Sequence, residues 1–204
     1  ARPQEAQTPQ LPVRSVQLAE TAAADMIAAD LDGDGTDEWI VAAADGASAY
    51  TADGRRLWRF AECGLARRLD AADTDGDGRL EVAVGCENAK VYLLDSQGRE
   101  RWSFECKPSD RALPPAVDAV RIADLEGDGS PEIVVGGNWL HCLDSSGQLK
   151  WEDYLVFSRG RIEGDFQCMW IEDYNRDGRL EIMAGYIYNY PVAIGYNAAG
   201  ERVF

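Results

Sequence analysis

Four segments of this chain fall on one pattern, and a chain that repeats a short unit has few ways to fold. Asp30-Leu31-Asp32-Gly33-Asp34-Gly35-Thr36-Asp37-Glu38 runs into Trp39-Ile40-Val41-Ala42. Asp73-Thr74-Asp75-Gly76-Asp77-Gly78-Arg79-Leu80-Glu81 runs into Val82-Ala83-Val84-Gly85. Asp124-Leu125-Glu126-Gly127-Asp128-Gly129-Ser130-Pro131-Glu132 runs into Ile133-Val134-Val135-Gly136. Asp173-Tyr174-Asn175-Arg176-Asp177-Gly178-Arg179-Leu180-Glu181 runs into Ile182-Met183-Ala184-Gly185. The starts lie 43, 51 and 49 residues apart, a period that belongs to propeller blades or solenoid units.

Each unit continues in the same way. After the loop and its apolar run come a short turn and a second apolar run, such as Lys90-Val91-Tyr92-Leu93-Leu94. A polar glycine turn follows: Ala52-Asp53-Gly54, Ser96-Gln97-Gly98, Ser145-Ser146-Gly147 or Ala198-Ala199-Gly200. A last run carries a bulky residue at the matching place: Trp58, Trp102, Trp151, Phe204. The stretch before each loop is also apolar, as in Ala119-Val120-Arg121-Ile122-Ala123. Four short runs between turn signals, with no helical period held for three turns, predict four strands per unit. The expected fold is all-β: a β-propeller of four four-stranded blades, with the acidic loop between the first two strands of each. The units span about 20–63, 64–108, 113–157 and 162–204 within one domain of 13–204, after an extended Pro- and Gln-rich tail, 1–12. The repeated Trp and Phe are expected to be wedges between blades.

The loops have the chemistry of a hard-cation site. Calcium takes six to eight oxygen ligands at roughly 2.3–2.6 Å. Positions 1, 3 and 5 supply alternate side-chain oxygens: Asp30, Asp32 and Asp34; Asp73, Asp75 and Asp77; Asp124, Glu126 and Asp128; Asp173, Asn175 and Asp177. Position 7 offers a backbone carbonyl, from Thr36, Arg79, Ser130 and Arg179, and position 9 a glutamate, Glu38, Glu81, Glu132 and Glu181. Position 6 is always glycine, which turns sharply at positive φ without cost. Nitrogen and sulfur ligands are missing from the pattern, which argues against zinc or copper. Up to four calcium ions are expected, with the fourth site weakest because Asn175 replaces an acid and Arg176 a glycine. The spacing departs from an EF-hand after position 6: the acid stands at 9 rather than 12, and strands rather than helices flank the loop.

These loops resemble the FG-GAP/VCBS repeats of integrin α-subunit propellers and of many secreted bacterial proteins. The resemblance covers about residues 20–204. The loop motif matches; the Gly-Ala-Pro of the family name is replaced by Ala42-Ala43-Ala44, Gly85-Cys86, Gly136-Gly137 and Gly185-Tyr186. The resemblance implies a calcium loop between the first two strands of each blade, and adhesion, matrix or carbohydrate-related roles, usually without catalysis by the blades.

Composition narrows the partners. The net charge of −16 excludes nucleic acid and anionic membrane surfaces as natural partners. Fifteen of the 36 acids stand at positions 1, 3, 5 and 9 of the four loops, so a cation accounts for much of the charge. No apolar run approaches the ~18 residues that span a membrane. Low cytosolic calcium and the start at Ala1, as in a mature chain freed of its signal peptide or a trimmed one, point to an extracellular, cell-surface or periplasmic setting. Cys63, Cys86 and Cys106 are expected on the face opposite the loops, where Cys63–Cys86 or Cys86–Cys106 can pair; Cys142 and Cys168 read as buried thiols. Val13–Ala19 reads as a strand without a partner in its own unit: a clasp that closes the ring, or a donor strand for head-to-tail assembly into filaments.

The functional expectation is a secreted, non-catalytic structural or adhesive module that binds a protein or glycan ligand at the cell surface or matrix. Two alternatives stand beside it. One is a carbohydrate-binding module using Tyr186, Tyr188 and Tyr190 as a stacking face. The other is a calcium-dependent polysaccharide-degrading enzyme or accessory domain, with Arg159 or Arg161 as the first catalytic suspects. The only histidine, His141, lies between Leu140 and Cys142 and reads as structural; no Ser-His-Asp set can be built elsewhere.

Overall fold

The computed structural model describes residues 22–108, 116–154, 156–157, 161–162, 165–187 and 192–203. Among them there is no helix. Blade 1 is the antiparallel meander β1 (Ala23–Ala29), β2 (Glu38–Ala43), β3 (Gly46–Tyr50) and β4 (Arg56–Phe60). Blade 2 repeats it with β5 (Ala66–Ala72), β6 (Glu81–Cys86), β7 (Lys90–Leu94) and β8 (Glu100–Glu105). Blade 3 uses β9 (Ala119–Ala123), β10 (Glu132–Gly136), β11 (Leu140–Leu143) and β12 (Leu149–Asp153). A short hairpin follows, β13 (Val156–Phe157) with β14 (Arg161–Ile162). Blade 4 has β15 (Asp165–Glu172), β16 (Glu181–Ile187) and β17 (Val192–Tyr196). The architecture is that of a β-propeller.

The strand sequences follow from their place in a blade. The middle strands β2, β3, β6, β7, β10 and β11 are buried almost throughout and read as continuous apolar runs; in blades 2 and 3 an adjacent blade covers each face. The outer strands β4, β8 and β12 are largely exposed. Three apolar layers result. Ile40, Ala42 and Phe60 of blade 1 meet Leu69, Val84 and Leu94 of blade 2. Ala83, Val91 and Leu93 meet Val120, Ile133 and Val135 of blade 3. Val134, Leu140 and Cys142 meet Phe166, Ile182 and Tyr196 of blade 4.

The repeated tryptophans latch each blade to the next. Trp58 Nε1–H donates to Ser96 O at 3.0 Å, Trp102 Nε1–H to Ser145 O at 2.9 Å, and Trp151 Nε1–H to Ala198 O at 2.8 Å. Each acceptor lies in the glycine turn of the following blade. There the ring lies against the glycine itself: a Cβ on Gly98, Gly147 or Gly200 would stand 2.5, 2.7 or 2.5 Å from the tryptophan Cδ2.

Two expectations are corrected. The fourth blade has three strands among the described residues, and its outer edge is reduced to the antiparallel bridge Tyr196↔Arg202, with Val203 N–H donating to Gly195 O at 2.8 Å. Arg202 is drawn instead toward blade 3, pairing with Asp153 at 2.7 Å. The cysteines are all free thiols. Cys63 and Cys86 nevertheless share the layer between blades 1 and 2, where Cys63 Sγ donates to Gly64 O and Cys86 Sγ to Val84 O, each at 3.6 Å, while Cys106 belongs to the next layer. Cys142 is buried and Cys168 half-buried. The tail 1–12, the clasp 13–19, Tyr188 and Tyr190, the side chain of Tyr186, Arg159 and the side chain of Arg161 lie outside the described residues.

Candidate metal centres

Each acidic loop joins the first two strands of its blade, and all four are built alike from short-range hydrogen bonds. Position 1 is the organiser. Asp30 Oδ1 accepts the N–H groups of Gly33 and Asp34 at 2.9 and 3.0 Å, and its Oδ2 accepts Gly35 N–H at 2.8 Å. Asp73, Asp124 and Asp173 repeat the bond to the position-6 glycine at 2.9, 2.8 and 2.9 Å. The Gly78 N–H bond is the main reason that Asp73 titrates below the ordinary carboxylate range. Position 5 caps the end of the turn: Asp34, Asp77, Asp128 and Asp177 accept the N–H of Thr36, Arg79, Ser130 and Arg179 at 2.8–2.9 Å.

Position 9 opens the second strand, and its glutamate turns back under the loop. Glu38, Glu81, Glu132 and Glu181 are buried. Their Oε2 atoms accept the position-2 N–H of Leu31, Thr74, Leu125 and Tyr174 at 3.0, 2.9, 3.0 and 3.2 Å. A buried carboxylate is costly unless paired; here one oxygen is held by the backbone and the other stays on the loop side. Burial pushes the Glu38 carboxyl up, and the negative charges of Asp32, Asp34 and Asp30 add to this.

The structure thus draws positions 1, 3 and 9 together. Ligand-capable oxygens of Asp30, Asp32 and Glu38 all lie within 4.8 Å of one another, and so do those of Asp73, Asp75 and Glu81. An all-carboxylate donor set with one rigid buried member suits a hard cation of calcium type. In the fourth loop Asn175 Nδ2 donates to Glu181 Oε1 at 2.9 Å and to Asp177 Oδ2 at 3.1 Å, so its amide nitrogen rather than an oxygen faces the other ligands.

Sequence reasoning missed two features. Position 4 is left-handed as well as position 6: Gly33, Gly76 and Gly127 have φ of 76, 77 and 71°, and Arg176 adopts 63°. The second concerns cations. Arg101 Nη1 lies 2.7 Å from Asp75 Oδ2 and 3.1 Å from Glu81 Oε1, and Lys150 Nζ lies 2.8 Å from both Glu126 Oε1 and Glu132 Oε1. Both residues directly precede a repeated Trp, a signal present in the sequence; what hid it is that a regular strand gives no reason for that side chain to reach the loop.

Residues 73–135, which hold the second loop, the last three strands of its blade, β9 and the third loop, match the model of the FG-GAP-like repeat. The chain contains an FG-GAP-like repeat. A search of curated proteins found no match. Among solved structures, the chain resembles the Vibrio cholerae biofilm matrix protein Bap1, at 22% identity and a TM-score of 0.60 over 91% of this chain and 30% of that one. It resembles quinohemoprotein alcohol dehydrogenase from Comamonas testosteroni at 13% identity and a TM-score of 0.65, over 94% of this chain and 34% of the enzyme. The Dos1 propeller gives 13% identity and a TM-score of 0.60, over 82% of this chain and 43% of that one. These likenesses establish the propeller fold, and the chain spans about a third to two fifths of the three.

Proposed function

We propose that the FG-GAP-like blades form a calcium-binding part of an extracellular propeller, acting as a structural or adhesive module in a surface matrix rather than as a catalyst. The observation that carries this reading is the repeated position-9 glutamate: buried, tied by one oxygen to the backbone of position 2, and joined by an aspartate from position 1 and an acid from position 3 in the first two loops. A plain Asp-Gly turn does not require a buried carboxylate beneath it. Positions 1, 3, 5 and 9 of each loop would hold the ion, with the position-7 carbonyl as a further ligand. The bound ion would neutralise carboxylates that otherwise repel one another and would fasten the first strand of each blade to the second. The likeness to a biofilm matrix protein supports the matrix setting. Protein or glycan surfaces are the partners that such a module would hold.

The test is a calcium titration of EDTA-treated protein, read by calorimetry, melting temperature and light scattering. Uptake of up to four ions with a marked rise in melting temperature is expected, since a ligand that binds only the folded state stabilises it by mass action. Glu38→Gln, placed to spare the Leu31 bond, should remove one ion without unfolding the chain. No uptake and no shift in melting would sink the calcium reading. Growth in size on adding calcium, lost on deleting residues 1–19, would support assembly by strand exchange, and monodisperse monomers would exclude it. A glycan array separates a sugar partner from a protein one.

A further inference from the structure

The outer strand of each of the first three blades is interrupted at the same place. Tyr50 pairs with Arg56 and Ala49 with Trp58, leaving Leu57 as an extra residue. Leu94 pairs with Glu100 and Leu93 with Trp102, leaving Arg101. Leu143 pairs with Leu149 and Cys142 with Trp151, leaving Lys150. A bulge re-aims the side chain it carries. Arg101 and Lys150 are thereby brought to the acidic loop of their own blade, each against the position-3 and position-9 carboxylates. In blade 1 the bulge carries Leu57, which is 42% exposed, and the matching residue of blade 4 is Val203, 47% exposed.

Resting on the calcium reading above, we propose that Arg101 and Lys150 are built-in counter-ions that compete with calcium for the second and third loops, so that the loops fall into affinity classes set by the bulge residue rather than by the count of acids. An ion entering the second loop must displace a guanidinium from two of its carboxylate ligands; one entering the third must displace an ammonium from two. These charge-assisted bonds are among the stronger polar contacts a surface can offer. The displaced cation also stays tethered nearby and repels the ion. The first loop has four acids and Leu57 at the bulge, so it fills first. The second and third have four acids as well, yet bind more weakly. They are correspondingly held together without metal, since Arg101 and Lys150 already neutralise part of their charge.

Isothermal calorimetry with calcium chloride on the EDTA-treated chain and on Leu57→Arg, Arg101→Leu and Lys150→Leu tests this. Wild type should show distinct classes, with Arg101→Leu and Lys150→Leu each strengthening one weak site by about tenfold, the equivalent of one lost charge-assisted contact. Leu57→Arg should weaken the tightest site by a similar factor; because Leu57 is exposed on an outer strand, the substitution leaves the core untouched. Arg101→Lys should keep the wild-type class. In EDTA, Arg101→Leu and Lys150→Leu should melt lower than wild type, and in saturating calcium the deficit should close. Equal affinities in wild type, unmoved by any of the substitutions, would overturn the competition while leaving the calcium sites standing. No uptake by any protein, the Arg101→Leu/Lys150→Leu double variant included, would overturn the calcium reading and the competition with it.

Discussion

At the residue scale, two side chains stand in environments that their chemistry resists. Arg176 occupies the left-handed region at φ 63°, where the other three loops place glycine. A side chain there costs on the order of 1–2 kcal/mol. Arg176→Gly should therefore stabilise the protein by about 1 kcal/mol, part of the gain being returned through the freer unfolded chain; urea denaturation at pH 7 measures it. His141 is fully buried in β11, edge-on to Phe104 with ring centroids 5.3 Å apart. Neither ring nitrogen has a hydrogen-bond partner among the described residues, and Nε2 lies 3.9 Å from Glu152, which is itself paired with Lys107. Burial holds the His141 pKa down to about 4, with Glu152 acting upward and Lys107 downward to a smaller degree. The folded value lies below the unfolded one of about 6.5, so this contribution to stability is complete above pH 6.5. It is lost as pH falls from about 6.5 to about 4, amounting to about 3 kcal/mol at ~1.4 kcal/mol per pH unit. Denaturation at pH 7 and pH 4.5 should show the loss, and His141→Leu should remove that part of the pH dependence. An unchanged slope in the variant would place the effect on the carboxylates instead.

At the scale of the element, the Trp–turn latch is the device that sets one blade against the next. Its two halves lie in different repeats, so neither half is informative alone. Gly98 is left-handed at φ 76°, and a Cβ added to it would sit 2.5 Å from Trp58 Cδ2. Gly35 is left-handed at φ 87°, but a Cβ there would meet nothing within 4 Å. Gly35→Ala should then cost only the backbone term of about 1–2 kcal/mol. Gly98→Ala should cost that and a further ~1–3 kcal/mol of overpacking. Equal losses for the two variants in thermal melts would show that the ring yields freely and that the latch contributes little. The outer edge of blade 4 shows the same dependence on neighbours: Arg202 and Val203 follow the repeat pattern, yet among the described residues one bridge forms there, and Arg202 pairs with Asp153 of blade 3.

At the scale of the whole molecule, the three apolar layers among the described residues each join a blade to its sequence neighbour, as in a repeat array in which interfaces carry much of the stability. The thiols of Cys63 and Cys86 lie within the first of these interfaces. The neighbouring Cys63 thiol and burial push the Cys86 thiol up, so exchange with a disulfide is expected during folding rather than in the packed protein. Refolding in oxidised glutathione should join Cys63 to Cys86, releasing two glutathione thiols per bond formed. Closing a loop of roughly 20 residues should stabilise the chain by about 3 kcal/mol. Peptide mapping checks the pairing. Cys106, whose thiol burial pushes up to about 12 and which lies in the next layer, should remain reduced. A Cys86–Cys106 bond would contradict the assignment.

Much of this protein was legible in its sequence because the loops act locally. Asp30, Gly35 and Glu38 lie within nine residues, and hydrogen bonds among near neighbours decide how they turn. Repetition did the rest: four copies in register exposed the blade, the loop between its first two strands and the matching tryptophans. The tertiary structure decided what depends on distant parts of the chain. Trp58 meets Gly98 and Ser96 only because blade 2 packs on blade 1. Arg101 and Lys150 reach their loops only because a bulge in the outer strand, defined by pairing with the strand beside it, turns one side chain that a regular strand would send elsewhere. Spacing along the chain records which groups are near in sequence; strand register and blade packing select which distant charges meet.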